Sequence, residues 1–134
     1  MRLSTARLPA AAALLALAAP AGAAGGGSSE VVSLGTFNVP IIDGGRVDGS
    51  LQLELAVTPA DRADVQKLGA AQPALRAAVL GAVLDFAQLR ASPRVAVDAD
   101  ALSQALDAAA RAADPAAAHV LILEVRTRSA SPTP

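Results

Sequence analysis

The sequence predicts an α+β domain: an antiparallel sheet, built from a β-hairpin plus a C-terminal strand, covered on one face by two to three helices. Three observations predict it. From Val47 to Thr58, Leu51, Leu53, Leu55 and Val57 alternate with Ser50, Gln52, Glu54, Ala56 and Thr58. A period of two over this length is a strand with one face buried and one wet, whereas a helix would scatter the leucines around its axis. Downstream, two segments carry apolar residues at the helical spacings of three and four. A second β-rich run precedes the central strand across a glycine turn, and a third closes the chain. The order β-β-α-α-α-β fits helices packed on one face of an antiparallel sheet.

The chain has 134 residues, enough for one domain with a targeting segment. Hydrophobic residues make up 53%, but alanine inflates that figure, so the core rests on a few Leu, Val and Ile residues and two Phe. Aromatic content is 1% with no Trp or Tyr, which argues against a stacking platform for bases or sugars. The formal net charge of −1 and the pI near 5.7 offer no basic footprint for nucleic acid or anionic lipid. The absence of cysteine excludes disulfides, thiolate metal sites, a cysteine nucleophile and the lipid-modified cysteine of a lipoprotein.

The N-terminus reads as an address. Arg2 and Arg7 precede the short apolar run Ala10 to Ala19, and Ala21-Gly22-Ala23 fits a small-x-small cleavage pattern. Together these describe a secretory signal peptide over residues 1–23. The run falls short of the roughly 20 residues a spanning helix needs. The alternative is an uncleaved anchor holding the domain at the inner membrane, facing the periplasm. Residues 24–30, rich in Gly and Ser, form a flexible leader.

The domain proper is assigned to residues 31–128. Val31 to Val39 is β-rich, with Phe37, Val39 and Ile41 on one face. Asp43-Gly44-Gly45 is turn chemistry and joins this strand to the leucine strand as a long hairpin. Thr58-Pro59 is expected to cap and open a short helix that ends at Leu68-Gly69, with Asp61 and Asp64 near its positive end. A longer helix is expected from Pro73 to Leu89, its stripe formed by Leu75, Val79, Ala82, Phe86 and Leu89 and widened by Leu80, Val83 and Leu84. Asp98 is placed as the cap of a third helix over Ala99 to Ala113, where Leu102, Ala105, Leu106 and Ala109 form a narrow face. Asp107 and Arg111 make an i,i+4 pair on it. His119 to Arg128 is the closing strand, apolar at its start and charged at its end. Residues 129–134 read as a disordered tail.

Chemistry-bearing residues are sparse. His119 is the only histidine, and a use in catalysis or metal binding would require Asp98 or Asp100 beside it. Asp98-x-Asp100 lacks the further acid and glycine of a calcium loop, so helix capping explains it better. Asp61 and Asp64 read as a capped first turn rather than an acid/base pair. Arg126 and Arg128 share one face of the last strand, and Arg90 and Arg94 flank a loop. They read as solvated charges that discourage strand-to-strand aggregation, with partner contacts as the alternative. No nucleophile, base and stabilising donor assemble into an enzyme constellation. The sequence therefore assigns no catalytic, cofactor-binding or metal-ligating residue.

Thr36-Phe37-Asn38-Val39, Asp43-Gly44-Gly45-Arg46-Val47, Leu51 to Val57, Pro73-Ala74-Leu75-Arg76 and Val120 to Val125 occur in an order and spacing that resembles the flagellar basal-body-associated FliL family. The resemblance runs from Gly35 to Thr127, about 90 residues. It implies a non-catalytic periplasmic domain of stomatin-like fold that self-associates and meets the flagellar stator or other basal-body proteins. Two departures stand out. A signal-like segment replaces the family's membrane anchor, and Asn38 precedes Val39 where the family places asparagine after the strand.

Overall fold

The computed structural model describes residues 30–131. The expected signal peptide, the expected leader up to Ser29 and the last three residues of the expected tail lie outside them.

The leucine alternation becomes the central strand of a three-stranded antiparallel sheet. Strand β1 spans Val32–Asp43, β2 spans Arg46–Pro59, and β3 spans Ala117–Ser129, in the spatial order β1-β2-β3. Leu51, Leu53, Leu55 and Val57 are all fully buried, as the period of two requires. The hairpin turn is Gly44-Gly45, with φ of +56° and +77°. Two consecutive positive φ values are what a two-residue turn matched to the strand twist demands.

Three helical pieces cover the leucine face. A 3₁₀ turn, Arg62–Asp64, leads into α1, Val65–Ala70; α2 spans Gln72–Leu89 and α3 spans Ala99–Ala113. Helix α2 lies on β1, α3 lies on β3, and the two helices pack against each other. Leu75, Val79, Val83, Phe86 and Ala87 of α2 meet Leu102, Leu106 and Ala110 of α3 and the sheet in one hydrophobic core. Each leucine enclosed this way contributes about 1.5–3 kcal/mol. The opposite face of the sheet carries Thr36, Asn38, Ser50, Gln52, Glu54 and Arg126, the alternation expected when one side meets water.

Two of the four register shifts in the sheet adjust which side chains reach the core. Phe37, Val39 and Ile41 extrapolate back to Gly35 and Ser33, which would waste the core face on small residues. A register shift between Ser33 and Gly35 inserts Leu34 instead, fully buried, and Gly35 takes φ +80° to allow it. On β3 the shift falls between Ile122 and Glu124. Val120 and Ile122 therefore turn to the helices, Leu121 and Leu123 are left exposed, and Val125 returns to the helix side opposite Leu53.

Four expectations need correction. Thr58-Pro59 does not open a helix: both still pair in β2, Thr58 with His119 and Pro59 with Ala117. Asp61 caps instead, accepting from the Ala63 N–H at 3.1 Å, because the sheet register holds the chain extended through Pro59. Leu89 leaves the apolar stripe of α2 and stands 81% exposed at its last turn, while Val83 takes a central place. On α3, Ala110 is the buried small residue, next to half-buried Ala105 and Ala109. The tail does not begin at Ser129, since Ser129 pairs with Gly49 and the Ala130 N–H donates to the Asp48 carbonyl at 2.8 Å.

Candidate functional site

A sheet of three strands has two edges, and each exposes backbone groups that need partners. Gln72 and Arg76 of α2 and Asp107 and Arg111 of α3 reach these edges, and they form the chemically richest places in the fold.

On β1, the Gln72 amide donates to the Ser33 carbonyl at 2.6 Å. The Arg76 guanidinium donates to the Leu34 carbonyl and, at 2.9 Å, to the Thr36 carbonyl. Its planar fork also lies over the Phe37 ring, 4.5 Å from the centroid, a cation–π contact. Gly35 sits beneath this guanidinium: a Cβ there would meet the Arg76 Nη1 at 2.8 Å. Thr36-Phe37 and Pro73-Ala74-Leu75-Arg76, read separately in the sequence, are thus one assembly.

On β3 the same role falls to α3. Asp107 Oδ1 accepts from the Val120 N–H at 2.7 Å, and Oδ2 meets His119 Nδ1 at 3.0 Å and Arg111 Nη2 at 3.3 Å. Arg111 Nε donates to the Ala118 carbonyl at 3.1 Å. The carboxylate is nearly enclosed while the imidazole is mostly exposed. Asp107 therefore fixes the ring by one nitrogen and leaves the other facing solvent. The Thr58 hydroxyl, opposite His119 in the sheet, donates to the His119 backbone carbonyl at 3.2 Å. The arrangement works as a clamp between helix and strand.

The pairing of His119 with Asp98 or Asp100 does not form. Asp98 caps the far end of α3, accepting from the Ala101 N–H at 3.0 Å, and nine residues of helix separate it from Asp107, about 13 Å. Asp107 was visible in the sequence only as the i,i+4 partner of Arg111. Nothing local marks it as an edge cap, because that role depends on where β3 comes to lie. Asp61 caps a turn and Asp64 lies in its first turn. Among the described residues no group of three or more metal-ligating side chains converges.

The arginines fall at the opposite end of the sheet. Arg94 pairs with Asp48 at 3.5 Å, and Arg126 pairs with Glu124 on its own strand. Arg128 and Arg90 have no carboxylate partner among the described residues. A groove of about 510 Å³ runs between α2 and α3, lined by apolar Ala82, Phe86, Leu89, Ala101 and Ala105 together with Asp85, Arg90 and Gln104. It brings together no nucleophile and base.

No protein-family model matches this chain, and no curated protein or solved structure is significantly similar to it.

Proposed function

We propose that this chain is a FliL-like periplasmic protein that acts by protein–protein contact and self-association, with the flagellar stator or other basal-body proteins as its partners and without catalysis. The observation that carries the reading is the assembly of Gln72 and Arg76 on Ser33, Leu34 and Thr36, with Arg76 over Phe37. Thr36, Phe37 and Arg76 belong to two of the motif segments that give the family resemblance, and their joint task of holding the long helix to the first strand supplies a physical reason for both. The export segment Arg2 to Ala23 supports the periplasmic location, and the alanine-rich, chemically sparse composition supports contact over catalysis. No single helix among the described residues is long and apolar enough to cross a membrane.

The small-x-small site at Ala21-Gly22-Ala23, where the family carries an anchor, favours a second reading: a small exported envelope adaptor unrelated to flagella. In-cell crosslinking of the tagged protein, read by mass spectrometry, separates the two. Recovery of stator or basal-body components is the expected result. Recovery of unrelated envelope proteins alone contradicts the flagellar role and leaves the adaptor.

A further inference from the structure

The sheet edges are closed unevenly. On β1 the Leu34 and Thr36 carbonyls point outward to Arg76. The two-residue period carries that orientation on to Asn38, Pro40 and Ile42. Pro40 stands at an outward position without an N–H, so a strand added there would lose a bond in mid-ladder. On β3 the Ala118 carbonyl and the Val120 N–H point outward and are taken by Arg111 and Asp107. The register with β2 carries the outward orientation across the bulge to Ile122, Val125, Thr127 and Ser129, which pair with Leu55, Leu53, Leu51 and Gly49. No helix side chain takes these last groups among the described residues. The second half of β3 is therefore the one stretch of edge that is neither capped nor broken by proline.

The flanking charge says what fits. Arg126 and Arg128 stand two positions apart on the helix-free face, a spacing of about 6.6 Å. Glu124 answers only Arg126. A strand laid along this edge places alternate side chains beside these arginines. Its other side chains face α3, where Asp100, Ser103 and Asp107 form one stripe and disfavour acid. A second copy does not suit the edge. Its β3 would lie about 4.8 Å away, yet two α3 helices need about 8–10 Å between axes.

We propose that β3 from Ile122 to Ser129 binds an extended segment of a partner protein by strand addition, and that the segment carries carboxylates at alternate positions. The site rests on the contact role proposed above and gives it a location. Main-chain bonds supply affinity and the Arg126–Arg128 pair supplies selectivity.

The test uses the full chain and a short capped peptide alternating Thr and Glu, with its Thr-Lys counterpart as control. Amide hydrogen exchange of the protein is followed during titration. The Thr-Glu peptide is expected to protect the amides of Val125, Thr127 and Ser129, with affinity falling as salt rises. Thr127→Pro removes only an outward N–H and should weaken binding by roughly tenfold or more. Reversal of Arg126 and Arg128 to Glu should transfer binding to the Thr-Lys peptide. Absence of protection at millimolar peptide, equal binding by Thr127→Pro, or protection that grows with protein concentration in the absence of peptide would each overturn the site. Crosslinking keeps the two proposals apart. Stator or basal-body capture without peptide binding removes the edge site and spares the contact role; peptide binding without such capture does the reverse.

Discussion

Strands β1 and β3 flank the same central strand, yet the fold holds them differently. β1 buries Leu34, Phe37, Val39 and Ile41 and is stapled by Arg76 across its edge. β3 fully buries only Ala117 and Val120, and its second half is polar or exposed. The hairpin partner is a structural member along most of its length. The closing strand is anchored at its first third and presented along the rest. The difference shows how a small alanine-rich domain stays folded while keeping a stretch of backbone accessible: Gln72 and Arg76 hold one end of the β1 edge, and Asp107 and Arg111 hold one end of the β3 edge.

The largest effect comes from the strand both edges share. Leu53→Asp places an unpaired charge in the core and should leave no folded protein, a loss beyond about 4 kcal/mol. Gln52→Asp, one residue away and beside Arg126, should change stability by no more than about 0.5 kcal/mol. Circular dichroism and thermal melts check both, and equal losses would refute the strand phase.

Next, Phe37→Ala on β1 removes a buried ring and the platform under Arg76, and should cost about 3–5 kcal/mol. Val125→Ala on β3, at 37% exposure, should cost less than about 1 kcal/mol. Urea titration that found the two comparable would erase the asymmetry. The clamp comes third. Asp107→Ala strands the Val120 N–H and leaves Arg111 and His119 without their acceptor, a cost of about 1–3 kcal/mol. The loss should appear chiefly as faster exchange at Val120. The smallest effect on stability is at Pro40. Pro40→Thr restores an outward N–H and should leave the melting point within about 4 °C of the parent, no more than about 0.5 kcal/mol. It should also open β1, so that light scattering reports more association than the parent shows at the same concentration.

Much of this fold was legible in the chain. The period of two fixed the phase of β2 because four alternate positions in a row, Leu51, Leu53, Leu55 and Val57, hold large apolar side chains. Gly44-Gly45 marked the turn because only glycine tolerates both backbone angles. The extent of α3 could be read from Asp98 and Asp114-Pro115, which bound it. What could not be read depends on contacts made across the chain. The bulge at Leu34 follows from the need to fill the core under α2. The displaced cap at Asp61 follows from β2 pairing through Pro59. The edge roles of Arg76 and Asp107 need helix and strand to be placed side by side, with 42 positions separating Arg76 from Leu34. The exposed Leu89 and the inward Val83 show that a stripe drawn on an isolated helix shifts once the helix has two neighbours to satisfy.

The central claim is that the β1 edge is capped at one end and interrupted by Pro40, whereas the β3 edge is open from Ile122 onward. Residue-resolved amide hydrogen exchange of the free protein tests it most directly. The account predicts alternation along β3: slow exchange at Glu124, Arg126 and Arg128, whose amides face β2, and fast exchange at Val125, Thr127 and Ser129. Val120, outward but held by Asp107, should be slow. Slow exchange at Val125 and Thr127, or exchange at Val120 as fast as theirs, would contradict it.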